Sequence, residues 1–443
     1  MTDTPLRDCS GAAMAQDEPS GSSGTIGAVG ERRSPHPASP GGFAAARGAD
    51  VRPPRQSWKR RLTYVGLNGG NRLIPKTQDR VVLHSTIDLE DGVFALAEEL
   101  NARGWTPTIL LERPSRAAEV ERHMGGKVRT VPKKSVRGVL EFLTARFVFT
   151  TENLYGDREP PASQTVVNIW HGEPPSGKVI AQFSPGQGGL HCTYAPVTST
   201  VGRAFRSAEF GLHPLRIPIV GAARNDRMLR SDGASVRREL LGEDADRPVF
   251  LWLPSFRKGS WEGRTRQDVA RPQPGVPFPA EEVERLDSWL LEHGARVVLK
   301  LHPHDVETFS GDFRAIRVLT QEEMQQHGLT VYRMLPAFDG LLTDVSSIWL
   351  DYLLLDKPIV FAFPDIQDYR DGRGLVIEPY EEWVPGPFVR DMDGLIAALA
   401  DLVEGRDPMA HERGLARLRF HQYRDDRSAA RLLDGLGIRS RSE

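Results

Sequence analysis

The segment Leu341–Phe363, LLTDVSSIWLDYLLLDKPIVFAF, restricts the fold more than any other part of the chain. An apolar run ends in Thr343-Asp344, two hydroxyl residues follow at Ser346 and Ser347, and helix-spaced apolar positions run from Ile348 to Leu355. Pro358 then opens a second apolar run, Ile359–Phe363. Short apolar runs on either side of a helix read as buried parallel strands joined by a crossover, which calls for a sheet covered on both faces. The turn also carries chemistry. The first N–H groups of a helix lack intrahelical partners and point outward with the positive end of the helix dipole. With Ser346 and Ser347 beside them they form a candidate phosphate site, although Asp and Ser caps on ordinary core helices share the pattern.

The alternation extends over most of the chain. Strands are expected at Val81–Thr86, Thr108–Leu111, Phe147–Thr151, Val166–Trp170 and Thr193–Val197, with helices at Val93–Arg103, Val136–Arg146 and Arg224–Arg230. After a polar stretch, Ser231–Arg247, strands are expected at Val249–Leu253, Val297–Leu301, Gly340–Thr343 and Ile359–Phe363. Helices are expected at Glu281–Glu292, Ile348–Leu355, Met392–Val403 and from Pro408 onward. This predicts an α/β protein with two doubly wound, Rossmann-like halves, residues 58–232 and 233–443, with ligands beyond the carboxyl ends of the strands in the cleft between them. Residues 259–278 read as a mobile flap over that cleft. No internal repeat is visible.

Residues 1–57 are rich in Gly, Ser, Pro and Ala, with Phe43 the only aromatic residue, and are expected to be a disordered tail. Arg52, Arg55, Lys59, Arg60 and Arg61 surround Trp58, a pattern shared by solvated basic linkers and by segments resting on an anionic membrane. The net charge of −2 gives no basic field for nucleic acid. Cys9 and Cys192 form neither a disulfide framework nor a thiolate metal site. No apolar run approaches the ~20 residues of a spanning helix, and the N-terminus lacks the apolar core of a signal peptide. A cytoplasmic chain is expected.

Two histidines follow expected strands. His171 in NIWHGEP is succeeded by Gly172, and His302 in LKLHPH by Pro303. Imidazole at a strand end facing a cleft suits general-base work near neutral pH. His302 and His304 lie two residues apart, but no nearby Cys/His/Asp set completes a zinc shell, so no metal is expected. Ser255 and Arg257 follow another strand, and Arg257 suits bidentate phosphate contact. In Gly221–Asp226, a strand-to-helix corner, Asn225 or Asp226 reads most simply as a cap. Arg370 and Arg373 lie in a glycine-containing loop after the last strand. There is no GxxxxGK[ST] phosphate loop and no GxSxG elbow.

Taken in order, Trp170–Pro175, Gly221–Asp226, Pro254–Arg257, His302-Pro303, Thr343–Ser347, Asp356–Pro358, Asp368–Arg370 and Pro385–Pro387 resemble the CDP-glycerol:poly(glycerophosphate) glycerophosphotransferase family of teichoic acid and capsule polymer enzymes. Coverage runs from about residue 72 to 435. Glu173 stands where the family usually has Thr, and an acid there is expected to repel a phosphate-rich acceptor. The resemblance implies a GT-B-like arrangement, with acceptor mainly on the first domain and cytidine nucleotide on the second. It implies a CDP-glycerol or CDP-ribitol donor and a polyprenyl-linked or polymer acceptor, with peripheral contact at the inner face of the membrane. It implies no cofactor. His171 and His302 are then the expected catalytic pair, in interchangeable roles. Gly172, Arg224, Asn225, Asp226, Ser255, Arg257, Thr343, Asp344, Ser346, Ser347 and Arg370 are the expected substrate contacts. Two other readings stay open: a GT-B glycosyltransferase or epimerase acting on a UDP-sugar, and a catalytically inactive scaffold. Glycerol against ribitol, priming against polymerisation, and oligomeric state are not fixed by the sequence.

Overall fold

The computed structural model describes residues 58–155, 159–174, 190–255, 260–261, 264–265, 275–301, 309, 311–372, 375 and 377–441. The expected tail, most of the expected flap, Arg257, His302 and His304 lie outside these residues.

Two parallel sheets form the framework. The first contains β1 (Thr77–His84), β2 (Thr108–Leu111), β3 (Arg129–Pro132), β4 (Ala145–Thr150) and β5 (Thr165–Asn168), in the order β3-β2-β1-β4-β5. The second is built from β6 (Val249–Trp252), β9 (Arg296–Leu299), β10 (Ile316–Val318), β11 (Gly340–Thr343), β12 (Ile359–Ala362) and β13 (Phe388–Val389). Its order is β10-β9-β6-β11-β12-β13. A short antiparallel hairpin, β7 (Ser260–Trp261) and β8 (Arg264–Thr265), lies in the expected flap. Both sheets wind outward from a central first strand to one side and then to the other, the doubly wound path. This shared winding arises without a visible sequence repeat, because the pattern of buried positions recurs and the residues do not.

Each sheet is covered on both faces. Val81 and Leu83 of β1 pack into one core layer and Val82 into another, the period of two that an extended chain imposes. Val249 and Leu251 of β6 divide from Phe250 and Trp252 in the same way. Fully buried side chains such as Phe149 and Phe250 each contribute roughly 2 kcal/mol relative to exposure. The C-terminal helix, Ser428–Gly435, returns to the first sheet: Ala429, Leu432 and Leu433 join its core, and Arg103 Nη1 pairs with Asp434 at 2.7 Å.

Several local expectations change. Trp58–Leu73 is a helix, not linker. The polar stretch 231–247 contains the helix Gly233–Leu241, capped by Asp232, which buries only Val236 and Leu240. Thr193–Val197 makes two isolated bridges, Val167 with Tyr194 and Val197 with Ile219, in place of a strand. The helix expected over Ile348–Leu355 is α-helical at Ile348–Tyr352 and tightens to 3₁₀ at Leu353–Leu355. Strand β3, the β10 edge and the helix Ala117–His123 were absent from the expected elements.

Candidate active site

Strand β5 ends at Asn168, two residues earlier than expected, and the chain turns sharply to present His171. Asn168 Oδ1 accepts the Trp170 N–H at 3.0 Å, closing the turn. Trp170 sits at φ +48°, a left-handed conformation that is an outlier for a bulky residue and costs on the order of 1–3 kcal/mol. Its surroundings hold it there. The indole meets the Phe210 ring edge-on at 4.9 Å, and the Arg206 guanidinium lies 5.6 Å from its centroid. Buried Arg206 also donates to the Gly172 carbonyl at 2.9 Å. His171 stacks on Trp170 with centroids 4.5 Å apart and remains exposed to solvent. An imidazole is thus held on a strained, over-determined loop at the carboxyl end of a sheet.

The opposing element is the turn after β11. Thr343 is buried and donates its hydroxyl to Leu253 O at 2.9 Å, while both carboxylate oxygens of buried Asp344 accept the Ser255 N–H at 3.1 and 3.0 Å. These two motif residues fasten the loop after β6 to the turn after β11. Ser346 and Ser347 are half-buried, and Ser347, at the N-cap of Ile348–Tyr352, makes no side-chain capping bond. The short helix weakens the dipole argument, since only its first turn contributes partial charge. The hydroxyls carry more of the case.

The two elements touch. A Cβ added at Gly172 would lie 2.5 Å from Ser347 Oγ and 3.3 Å from its Cβ, so only glycine permits this approach. The loop that carries His171 therefore packs directly against the serine turn, and the seam between them is the candidate crevice.

Below the crevice lies a buried ionic network. Arg224 donates from Nε and Nη2 to the two oxygens of Asp351 at 3.0 and 3.1 Å, and Nη2 reaches Glu173 Oε1 at 3.4 Å. Asp351 Oδ2 also accepts from the Tyr332 hydroxyl at 2.7 Å, and Glu173 Oε2 accepts from the Thr198 N–H and hydroxyl, each at 3.3 Å. A neighbouring pair, Arg227 and Asp91 at 3.1 Å, is joined by the Thr330 hydroxyl. Burial pushes Glu173 upward in pKa, opposed by Arg224 and Arg206. At 3% exposure Glu173 faces protein partners, so the expected repulsion of a phosphate-rich acceptor falls away.

The remaining expected contacts divide. Arg224 is committed to Asp351 and Glu173. Asp226 accepts the backbone N–H groups of Ser428 and Ala429 at 2.9 and 2.8 Å, capping the returning C-terminal helix. Arg370 pairs with Glu378 at 2.7 Å and lies 3.7 Å from Glu381. Asn225 is 1% exposed, and neither atom of its amide has a hydrogen-bond partner among the described residues.

A second polar cluster occupies the carboxyl end of the first sheet. His84 Nδ1 lies 2.9 Å from Leu110 O, and Nε2 lies 3.2 Å from Glu152 and 3.7 Å from Glu112. These three residues have metal-ligand types, but Lys133 pairs with Glu112 and supplies a cation to the group. Glu90, buried at the N-cap of Asp91–Ala102, is raised to about 7 by burial and by Asp91, against its bond from Val93 N–H and the charge of Arg224. Acids beginning an apolar helical run signal the cap, and Asp351 among the apolar residues of its helix signals a buried partner.

Two parallel sheets, each wound outward from a central first strand and covered on both faces, define a GT-B-like α/β protein. The sequence profile of the CDP-Glycerol:Poly(glycerophosphate) glycerophosphotransferase family matches residues 71–436, and the chain belongs to that family. Teichoic acid ribitol-phosphate polymerase TarK of Staphylococcus aureus is 27% identical over 293 residues, 62% of this chain and 52% of that protein. The teichoic acid ribitol-phosphate primase of Bacillus spizizenii is 35% identical over 196 residues, 44% of this chain and 45% of that protein. The chain spans about half the length of these curated relatives. Among solved structures, the wall teichoic acid polymerase TagF superposes with a TM-score of 0.66 at 17% identity, covering 86% of this chain and 92% of that one. A UDP-N-acetylglucosamine 2-epimerase superposes at 0.50 and 14% identity, covering 82% and 97%. These likenesses establish the fold.

Proposed function

We propose that the chain transfers a polyol phosphate from CDP-glycerol or CDP-ribitol to a hydroxyl of a polyprenyl-linked saccharide or teichoic-acid-like polymer, releasing CMP. The contact of the Gly172 backbone with Ser347 carries the reading, because it sets a candidate base beside a candidate phosphate turn. The acceptor oxygen attacks the phosphorus bearing the polyol, and the bond from that phosphorus to the CMP oxygen breaks. His171 takes the hydroxyl proton. Ser346 and Ser347 donate to the donor phosphates, and such a transfer needs positioning and charge neutralisation more than covalent chemistry. His302 and Arg257 keep their expected roles at the departing phosphate. Asn225, whose buried side-chain amide lacks a partner among the described residues, is left to meet the ligand or an ordered water. Acceptor binding to residues 58–232 and nucleotide binding to 233–443 complete the reading.

The test is a donor screen monitoring released nucleotide, with CDP-glycerol, CDP-ribitol and UDP-sugars side by side. CMP release from a CDP-polyol is expected, reduced by about 10²-fold or more in H171A with the fold intact. UDP release alone would move the chain to the sugar-nucleotide reading. Tight CDP-polyol binding without turnover on any acceptor would indicate a scaffold.

Peripheral membrane contact is part of the proposal. The helix Trp58–Leu73 carries Lys59, Arg60, Arg61 and Arg72, and exposes Val65 and Leu73. It packs against Val136–Thr144, where Val136 is 79% and Leu140 50% exposed beside Arg137. Exposed apolar side chains beside a segment rich in Lys and Arg suit an anionic bilayer surface. Among the described residues no helix is long and apolar enough to cross a membrane.

A further inference from the structure

We propose that Arg224 is a positioning residue that fixes the spacing between the histidine loop and the serine turn. The inference deepens the reading above and, for turnover, rests on it. Its two carboxylate partners belong to opposite sides of the crevice. Glu173 lies two residues after His171, and Asp351 lies four residues after Ser347, one helical turn along the same segment. A single planar guanidinium makes both contacts, and its rigid fork allows little independent movement of the two acids. Each end is tied down again. Thr198 holds Glu173, the Tyr332 hydroxyl holds Asp351, and the Tyr332 ring lies 5.7 Å from the Arg224 guanidinium carbon. Arg206 fixes the intervening Gly172 carbonyl.

Direct substrate contact by Arg224 conflicts with this arrangement. Its side chain is 3% exposed, and a phosphate could claim the guanidinium only by leaving two buried carboxylates without their cation. Within the Arg-Asn-Asp motif, Arg224 and Asp226 therefore act through packing: Arg224 sets the crevice, and Asp226 caps the returning helix. Arg224 touches no reacting atom, yet it joins the backbone that carries His171 to the helix that carries Ser347.

The experiment uses the full chain carrying C9S together with G172C/S347C. The Cβ separation of 3.3 Å at this pair is close to the ~3.5–4.5 Å of a disulfide, so mild oxidation should cross-link the loop to the turn. Cys192 is buried, and burial pushes its thiol up to about 12, which keeps it out of the reaction. R224K and the isosteric E173Q are expected to slow cross-linking by about tenfold or more while unfolding stays cooperative. In chains without the added cysteines, the same substitutions should lower kcat for CMP release by about tenfold or more and leave donor KM within about twofold. If R224K does not fold, E173Q decides alone. Unchanged cross-linking in folded variants overturns the inference, as does a rise in donor KM with kcat preserved, which would make Arg224 a ligand. Absence of CMP release from the parent chain would refute the functional reading, while cross-linking would still decide the spacing role.

Discussion

Replacing Gly172 with alanine tests the crevice with one methyl group. The new Cβ would stand 2.5 Å from Ser347 Oγ, about 0.9 Å inside an ordinary 3.4 Å contact. Rotating the Ser347 hydroxyl relieves that clash but leaves Ser347 Cβ at 3.3 Å, still tight. Either the hydroxyl turns from the phosphate position or the histidine loop and serine turn separate by close to 1 Å. A displacement of that size costs about 10²-fold in rate, or ~2.7 kcal/mol of transition-state stabilisation. Stability should not fall in parallel. Gly172 does not have a positive φ, so alanine meets no backbone penalty and reduces the entropy of the unfolded chain, a gain of about 0.4–1 kcal/mol. The expected signature in a continuous CMP-release assay is kcat reduced by about 10²-fold with a thermal midpoint unchanged or slightly raised. Turnover within about twofold of the parent would refute the claim that His171 and Ser347 work across this contact.

Two further perturbations probe other links. Burial raises Glu90 to about 7 from 4.5, so the folded chain holds a proton that the unfolded chain releases between those values. That contribution favours the fold below pH 4.5 and is lost as pH climbs through 7, by about 3 kcal/mol in all. In urea unfolding, E90Q should therefore flatten the fall in stability between pH 5 and 8, and equal falls in parent and variant would discard the assignment. At the proposed membrane face, V136D/L140D should weaken sedimentation with anionic vesicles by about tenfold at low salt while leaving turnover on a soluble acceptor unchanged; equal binding by parent and variant would remove this surface from the interface.

The elements legible in the sequence are those whose burial is two-sided. Gly340–Thr343 and Thr108–Leu111 coincide with their expected bounds because every residue in each is buried, leaving an apolar run with sharp ends. Edge strands lack that signature. Strand β3, RTVP, buries only Val131, and β10 buries only Ile316, so neither rises above the loops around it. The helix Trp58–Leu73 was hidden by Asn68, Gly69 and Gly70, which depress helix propensity where tertiary contact sustains the structure. Within the site, the histidine loop and serine turn could be read because strand, turn and helix signals coincide there. The network beneath could not. Glu173, Arg224 and Asp351 are far apart in sequence, and a charged residue shows its sign but not its partner.

That blind spot bears on the motif residues expected at the substrate that also have protein partners. Charged residues near a strand end invite a ligand reading, yet the same types are needed wherever two sheets meet through polar surfaces. A buried charge must be paired, and removing one partner costs about 3–5 kcal/mol, so motif identity at such positions follows from fold geometry as strongly as from chemistry. Thr343, Asp344, Arg224 and Asp226 all have protein partners among the described residues. The side chains better placed for chemistry are less buried: His171 is exposed, and Ser346 and Ser347 are half-buried. Arg224 joins the loop after His171 to the helix after Ser347 through Glu173 and Asp351, and the proposed reading leaves the imidazole and hydroxyls at that contact to act on substrate.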